Sequence, residues 1–360
     1  MHRKRFLNIC AALAGIGIVL LGAGIAMGGA VYGIRLDAAG LHVDAPKLDE
    51  KNGTNHFESK VEQIEAFDSV KITAQYANIL IEPSDSDSYE LSYGLYGNRT
   101  LSKKMEGTRL VLEQEEHTSV RYKGINVAWF VIGSSDKSDH AQPQEEFITL
   151  RLPKGVKLSD LELIAKDADI SCAQVQADRM QIGTQYGNVS LFGIQAREVD
   201  AEAETGRLQI ERVQAENCQA KNEYGEIVLD DITLAGDMNL FTESGDVRFQ
   251  DTKMRSLFLK SEYGTVEGRQ TVFTDMQMTV EGGNCRMEDV LFDRCAIDAD
   301  YGNVELKLQK DIGDYDYSLT AEYGTIQIGE QSMGEKYASL EQNAEKMVQI
   351  HCEDGDILIR

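Results

Sequence analysis

Residues that build catalytic and metal sites are scarce in this chain. Among its 360 residues there are only six histidines, six cysteines, four prolines and one tryptophan. The sequence contains no CxxC pair, no HExxH, no GxSxG and no phosphate-binding glycine loop. These absences exclude the common zinc sites and the familiar hydrolase and nucleotide-binding motifs.

Two local patterns match catalytic motifs only formally. Residues 134–137 fit SxxK without its companion motifs, and Asp230 and Asp231 are paired carboxylates of the kind that glycosidases use. In a chain with 60 acidic residues such a pair is expected by chance. We therefore predict that the chain is not an enzyme and has no cofactor. An enzyme acting on polysaccharide is the least favoured alternative.

Basic residues are also in deficit. There are 36 Lys and Arg residues against 60 Asp and Glu residues, which gives a net charge of -24. Phosphate binding depends on neutralisation by Lys and Arg, so nucleic acid and anionic lipid are disfavoured as partners. Hydrophobic residues make up 42% of the chain and recur with a regular period, which predicts a folded body rather than a disordered one.

The cysteines do not indicate a disulfide framework. Cys10 lies in the apolar N-terminal segment, and the other five are an odd number without metal-ligand spacing. We predict that these five are free core residues that act as small hydrophobic side chains. They are Cys172, Cys218, Cys285, Cys295 and Cys352.

Only one long apolar segment is present. Residues 6–34 carry no charge, whereas a membrane-spanning helix needs roughly 20 apolar residues. The basic residues 3–5 predict that the N-terminus is cytoplasmic and that the body is extracellular, in a single-pass protein of the cell membrane. A cleaved signal peptide ending at the small residues 28–30 is the alternative. Residues 35–60 are polar and aperiodic, and they are predicted to form a stalk.

A short motif around a glycine recurs at nearly constant spacing. Seven copies are regularly spaced. Two more lie closer to the C-terminus, at Gly324 and Gly355, and two degenerate copies have Ala77 and Ala168 in the glycine position. Internal repeats of this length are typical of solenoids. The regular copies have spacings of 19, 19, 19, 20, 19 and 19 residues, at Gly187, Gly206, Gly225, Gly245, Gly264, Gly283 and Gly302.

Apolar residues alternate on both sides of each glycine, two and four residues after it and five and seven residues before it. Alternation with a period of two predicts strands with one buried face. A glycine between two strands supplies a backbone conformation with positive φ, and stacked units bury a continuous core. The sequence therefore predicts an all-β fold, a β-solenoid of about 19-residue coils over residues 61–360, preceded by one transmembrane helix. Four of the cysteines occupy its inward positions.

Tyrosine precedes the glycine in every second coil. We first interpret this alternation as packing, because a bulky ring needs small neighbours in the adjacent coils. A strip on which sugars stack is the alternative, since aromatic rings with polar handles suit such surfaces. The alternating residues are Tyr186, Thr205, Tyr224, Ser244, Tyr263, Gly282 and Tyr301.

Carboxylates lie two residues before the glycine in eight coils, and a solenoid would stack them into a ladder. Outward carboxylates keep the solenoid soluble and discourage edge-to-edge association. The alternative is a row of weak Ca²⁺ sites, because Ca²⁺ prefers several carboxylate oxygens. The candidate ligands for Ca²⁺ are Glu223, Glu243, Glu262, Glu281 and Asp300.

Two segments break the repeat. Residues 82–165 are predicted to form an irregular cap at one end of the solenoid, and residues 330–346 a polar surface excursion. The cap contains Trp129 and Phe130 within an apolar run. This run is interpreted as a buried strand, with an exposed contact for a partner or the membrane surface as the alternative.

The order of these features resembles a known family. A first strand unit at residues 67–91 (FDSVKITAQYANILIEPSDSDSYEL), a Leu-Pro strand at 147–170, repeated YG and SGDV coils, and the ending VQIHCEDGDILI are similar to the "putative adhesin" family of β-strand-repeat proteins in the bacterial envelope. The resemblance covers about residues 61–360 and brings no catalytic residues.

The resemblance implies a non-catalytic, membrane-anchored extracellular module, either an adhesin or a scaffold that binds wall polymer or glycan. The alternative function is an accessory regulator of an envelope-stress system. Such a regulator would act on a membrane protein partner through Trp129 and Phe130 or through the anchor.

Overall fold

The computed structural model describes residues 33–37, 40–44, 57–116, 144–335, 338–340 and 344–360. Within this part of the chain no helix is long and apolar enough to cross a membrane. The predicted anchor lies outside the described residues, except that its last two positions belong to a strand. Trp129 and Phe130 also lie outside them.

The described residues fall into two units. In the first, β1 (Gly33–Asp37) pairs antiparallel with β2 (Gly40–Asp44). Part of the predicted stalk is therefore a two-stranded hairpin. The last four residues of that predicted stalk, 57–60, belong to the first strand of the second unit.

Seven strands form the N-terminal part of the second unit. Its first coil is β4–β5, and β8–β9 form a parallel coil beside it. Strand β6 pairs antiparallel with β9, and β3 pairs antiparallel with β6. Two antiparallel strands therefore cover the edge of β9. The predicted cap thus contains two strands that stack in parallel on the first coil. The strands are β3 (Phe57–Ile64), β4 (Ser69–Ala74), β5 (Asn78–Pro83), β6 (Tyr89–Tyr96), β7 (Arg99–Glu106), β8 (Arg109–Glu116) and β9 (Phe147–Leu152).

Sixteen strands form eight regular coils. The even-numbered strands stack in parallel as sheet A, and the odd-numbered strands stack in parallel as sheet B. They are β10 (Lys157–Ala165), β11 (Ile170–Ala173), β12 (Gln176–Tyr186), β13 (Val189–Phe192), β14 (Gln195–Thr205), β15 (Leu208–Ala215), β16 (Asn217–Tyr224), β17 (Ile227–Leu234), β18 (Asp237–Ser244), β19 (Val247–Lys253), β20 (Ser256–Tyr263), β21 (Val266–Val272), β22 (Asp275–Gly282), β23 (Cys285–Leu291), β24 (Arg294–Tyr301) and β25 (Val304–Leu308).

A short 3₁₀ helix (Ile312–Asp314) leads into the C-terminal part. The predicted surface excursion forms two strands here, because β28 pairs antiparallel with β27 and β29 with β26. These two strands cover the last edges of sheets B and A. The strands are β26 (Tyr315–Ala321), β27 (Thr325–Ile328), β28 (Gln331–Glu335), β29 (Ala338–Leu340), β30 (Lys346–Asp354) and β31 (Ile357–Ile359).

The stacking order of the coils departs from chain order at both ends. The last coil in the sequence, β30–β31, lies between β24–β25 and β26–β27. In the same way the first coil, β4–β5, lies between β8–β9 and β10–β11. The first and last coils of the chain therefore have parallel partners on both sides, and neither is a free edge.

The core confirms the predicted inward positions. The paired apolar residues before and after each glycine are buried in every regular coil, and one continuous hydrophobic core runs through the described coils of the second unit. The five predicted core cysteines are all buried and free. Burial raises the pKa of Cys218 and Cys285 to about 12, so these thiols are inert at neutral pH.

The glycines form a corner ladder, and crowding explains them better than φ does. Positive φ is found at five of the nine corner glycines, from 126° at Gly302 to 154° at Gly225. At all nine, a Cβ would overlap the backbone carbonyl of the preceding corner in the stack. For Gly324 that carbonyl belongs to Gly355, which agrees with the exchanged coil order. Glycine is needed because the backbone carbonyl of one corner lies against the α-carbon of the next corner and leaves no room for a Cβ.

A second corner lies six residues after the first corner, which is Gly or Ala168, in each of seven coils. There the backbone is left-handed, with φ between 50° and 66°. This conformation is uncommon for residues other than Gly, Asn and Asp. The corner residues are Gln174, Gly193, Arg212, Asp231, Asp251, Gln270 and Asp289.

The corner ladder predicts that Gly187→Ala destabilises the fold strongly although its φ is not positive. Forcing a methyl group against the Ala168 carbonyl should cost about 3 kcal/mol of unfolding free energy. The control is Gly107→Ala, where φ is +66° and nothing lies within 4 Å, with an expected cost of about 1 kcal/mol. Urea unfolding of both variants gives the comparison. An equal or smaller loss for Gly187→Ala would contradict the crowding argument.

The second corner predicts opposite effects for two exposed glutamines. Gln270→Gly removes left-handed strain at φ 52° and should raise the unfolding free energy by roughly 0.5 kcal/mol. Gln277→Gly, in the extended strand β22, should lower it by roughly 0.5–1 kcal/mol. Thermal melting of the two variants distinguishes them. A loss of stability in Gln270→Gly would show that the corner is not strained.

Candidate binding surface

A row of exposed tyrosines runs along the glycine corner. Strand pairing aligns Tyr186, Thr205, Tyr224, Ser244, Tyr263, Gly282, Tyr301 and Asp354 in successive coils. Tyr323 follows beside Asp354, because its amide donates to the Glu353 carbonyl at 2.9 Å. The alternation therefore continues through the exchanged coil. The five members of this tyrosine row are exposed by 55% (Tyr186), 50% (Tyr224), 64% (Tyr263), 62% (Tyr301) and 75% (Tyr323).

The rings of these tyrosines lie on the surface, and the packing of a ring across a small neighbour is seen at Gly282. The small residues between them still make room for the rings. A Cβ at Gly282 would lie 3.2 Å from a ring carbon of Tyr263, so the ring lies across the small neighbour. The alternation therefore produces a row of separated aromatic faces.

A ladder of Asn and Asp side chains holds this corner in place. The Asn188 side-chain oxygen accepts a hydrogen bond from the Arg207 amide at 2.9 Å, and that of Asn303 accepts one from the Asp356 amide at 2.9 Å. Two hydrogen bonds from Thr325, at 2.7 and 2.8 Å, lower the pKa of Asp356. Sequence analysis missed this ladder, although its signal is present as Asn or Asp directly after the glycine. The same contact is made by Asn78, Asp169, Asp246 and Asn284.

The acidic ladder lies directly beside the tyrosine row. The Tyr224 hydroxyl donates to the Glu243 carboxylate of the next coil at 3.2 Å. The charge of Glu243 and this hydrogen bond raise the pKa of Tyr224, and Glu223 and Glu204 add to the effect. The Tyr224 hydroxyl is therefore bound to one carboxylate of the acidic ladder and lies in the field of two others. In stacking order the ladder comprises Glu204, Glu223, Glu243, Glu262, Glu281, Asp300, Glu353 and Glu322.

Two lysines neutralise part of the acidic ladder. Lys221 contacts Glu223 at 2.9 Å, and Lys260 contacts both Glu262 at 2.9 Å and Glu281 at 3.1 Å. Hydrogen bonds to the carboxylates raise the pKa of both lysines. Three of the five candidate Ca²⁺ ligands are thus engaged by lysine.

No group of three or more His, Cys, Asp or Glu side chains within the described ranges is placed to hold a metal ion. Ca²⁺ binding along the ladder stays a prediction. A rise in melting temperature with millimolar Ca²⁺ would support it.

The N-terminal end of the corner is closed by a polar network. The Gln114 side-chain oxygen accepts hydrogen bonds from the amides of residues 75–77 at 2.8–3.2 Å. The buried Glu146 carboxylate accepts from Gln114 at 3.0 Å and from Arg99 at 2.6 Å. The Arg99 guanidinium lies 4.0 Å above the ring of Tyr76. Tyr76 is therefore covered, and the exposed row begins at Tyr186.

A second aromatic surface lies on the outer face of sheet A. A shallow hollow of about 370 Å³ there is lined by Phe241, Phe258, Lys221 and Lys260, among others. Phe258 is 43% exposed, and the Lys260 ammonium lies 5.9 Å from the ring centre of Phe241. This hollow is local, whereas the tyrosine row continues through nine stacked coils.

The remaining candidates from the sequence are dispersed. Asp231 is a left-handed corner residue with φ 54°. Its backbone conformation therefore accounts for an aspartate at this position of the Asp230–Asp231 pair. The proposed partner residues Trp129 and Phe130, and residues 134–137, lie outside the described part of the chain.

Comparisons with known proteins agree with the repeat. A family model described as Toastrack DUF4097 matches residues 67–239 and 211–360. No curated protein matches the chain.

Similar solved structures have low identity and low TM-scores. A "putative lipid binding protein" from Parabacteroides distasonis has 13% identity and a TM-score of 0.44, covering 86% of this chain and 98% of its own. A "putative adhesin" from the same species has 11% identity and a TM-score of 0.40, covering 85% of this chain and 98% of its own. A "putative cell adhesion protein" from Clostridium sporogenes has 9% identity and a TM-score of 0.24, covering 84% of this chain and 99% of its own. At this level of similarity, what those proteins bind says nothing about what this chain binds.

The exposure of the row predicts selective chemical modification. Tetranitromethane should nitrate the five tyrosines of the row in the folded chain, because their rings are accessible. Tyr315 and Tyr317 should be protected, because both are buried and burial raises the pKa of Tyr315 to about 12, which lowers the amount of reactive phenolate. Peptide mass spectrometry measures the rates. Nitration of Tyr315 or Tyr317 as fast as the row would contradict this surface.

Proposed function

Because this chain belongs to the Toastrack DUF4097 family, we propose that it is a non-catalytic β-repeat module of the bacterial envelope that binds a polymer at the cell surface. The family model matches two segments that together span residues 67–360, which confirms the family predicted from the sequence. Adhesion to a cell-wall polymer is the form of this function that the surface supports best.

The tyrosine row is the observation that carries the proposal. Exposed aromatic side chains are enriched where proteins bind partners, since they supply large contact area at low cost in conformational entropy. Here they recur in every second coil over the corner. A surface that repeats along one axis suits a partner that repeats along its own axis, such as a polymer.

The rigidity of the corner supports the same function. The glycine ladder crowds the backbone beneath each tyrosine, and hydrogen bonds from the Asn and Asp ladder hold several of the same corners. A preorganised surface loses less entropy on binding than a flexible loop would. Catalysis, by contrast, needs groups held around one point, whereas this surface distributes like groups along a line.

The charge pattern of the N-terminus supports placement at the cell surface. In the proposed topology, residues 6–34 anchor the chain in the membrane and the basic residues 3–5 stay cytoplasmic. The coils then face the wall. Their acidic surface keeps the module soluble and disfavours anionic partners.

Co-sedimentation with isolated cell-wall sacculi tests the proposal. The full chain, purified in a mild detergent, should sediment with the sacculi in a saturable way and should be released by an excess of solubilised wall fragments. Binding should persist at raised salt concentration, because the net charge of -24 gives no general attraction to an anionic wall.

Two results would contradict the proposed function. One is the absence of saturable binding to sacculi. The other is cross-linking in intact cells that recovers a single membrane protein and no wall fragments, which would favour the envelope-stress regulator.

A further inference from the structure

Building on this proposed function, we propose that the tyrosine row binds an extended β-1,4-linked glycan that carries no negative charge, with one disaccharide unit for each tyrosine. This names the chemical class of the polymer and the residues that contact it. The argument depends on the period of the row, the faces of its rings and the charges beside it.

The period of the row matches a two-sugar repeat. Adjacent coils are one interstrand step of about 4.8 Å apart, so successive tyrosines in alternate coils lie about 9.6 Å apart. In an extended β-1,4-linked chain each sugar is turned by half a rotation relative to the last, so the same face returns with every second sugar. One disaccharide is close in length to two coils. Each tyrosine of the row can therefore meet the same face of the polymer.

The ring faces are open for stacking. The five tyrosines are at least half exposed, and the residues between them are small or polar. The ring of Tyr263 lies across Gly282, so one side of this ring rests on the neighbouring coil and its exposed part is available to a sugar. An aromatic face carries negative charge density and attracts the weakly positive C–H groups on the flat side of a sugar ring. Stacking of this kind requires no pocket.

The acidic ladder supplies the polar contacts that a glycan needs. A carboxylate is an acceptor only, and sugar hydroxyls are good donors to it. Glu243 is within hydrogen-bonding distance of the Tyr224 hydroxyl, so a sugar above this ring lies beside carboxylate oxygens. The same charges repel glycans that carry carboxylate, sulfate or phosphate groups. The ligands that these charges allow are neutral glycans and glycans with free amines.

A proline-rich peptide is the competing ligand, because its period is similar. A polyproline II helix repeats a face every three residues, or about 9.3 Å. Domains that bind such peptides hold them in aromatic-lined grooves. The tyrosine row instead lies on the open corner between two sheets, with its rings 50–75% exposed. An open row favours a ligand that stacks from one side, which is the glycan.

The test measures binding of defined oligomers to the full chain in detergent by isothermal titration calorimetry. The probes are β-1,4-linked hexamers of N-acetylglucosamine and of glucosamine, an anionic hexamer of galacturonic acid, and a nine-residue polyproline peptide. A hexamer spans three disaccharides, so it can contact Tyr224, Tyr263 and Tyr301 together. We expect binding of one or both of the first two probes and none of the anionic hexamer.

Variants at the row give the decisive comparison. Tyr263→Ala should weaken binding roughly threefold to tenfold, and Tyr224→Ala with Tyr263→Ala should weaken it by about the product of the single effects. Tyr263→Phe should retain most of the affinity, because it keeps the ring. Phe258→Ala, in the hollow on sheet A, is the matched control and should bind as the unaltered chain does. All these side chains are exposed, so the fold should tolerate their removal.

Several results would overturn the inference. One is that neither the uncharged nor the amine-bearing hexamer binds, and another is that the double tyrosine variant keeps its affinity for them. The inference also fails if Phe258→Ala alone lowers the affinity for the hexamers, or if the polyproline peptide binds more tightly than they do. If the double variant still sediments with sacculi like the unaltered chain, the polymer-binding function stands and this assignment of its site fails. If the unaltered chain does not bind sacculi, the function itself fails.

Discussion

The close stacking of backbone at the glycine corner is the constraint on which the rest of the structure depends. At each corner the carbonyl of one coil occupies the space where the next coil would carry a Cβ. This contact keeps successive coils in register, and the Asn and Asp side chains add a hydrogen bond at several of the same corners. Because the corner is regular, the side chains at each position next to it are aligned from coil to coil. The tyrosine row is a direct consequence of this backbone geometry.

The ends of the stack solve a different problem. A parallel stack leaves unpaired backbone groups at its terminal strands, and such edges promote association with other chains. Here the coils at both ends are exchanged relative to chain order, so the first and last coils of the chain have partners on both sides. Antiparallel strands then cover β9, β26 and β27. The tyrosine at the exchanged end, Tyr323, keeps its place in the row only because β30–β31 lies between.

Much of this architecture could be predicted from the sequence because the repeat has a constant length. The alternation around each glycine identified the inward residues, including Cys218 and Cys295, and the structure buries them. The exchanged coils could not be predicted, because the irregular gaps before Gly324 and Gly355 do not indicate which coil lies next to Gly302. The exposure of the tyrosines was left open between packing and a strip for sugars, since a residue beside a corner no longer follows the inward and outward alternation of a strand. For that position only the geometry of the corner decides which way the ring points.

The function that we propose is recognition spread over many equal contacts. Each exposed tyrosine contributes a small amount, and a polymer that contacts several of them gains from the high effective concentration of the later contacts. The most direct measurement is ¹⁹F NMR of the full chain labelled with fluorotyrosine, titrated with the N-acetylglucosamine and glucosamine hexamers. The account predicts that resonances of Tyr224, Tyr263 and their neighbours in the row shift together, while those of the buried Tyr315 and Tyr317 stay in place. Shifts confined to tyrosines outside the row, or no shifts with either hexamer, would contradict it.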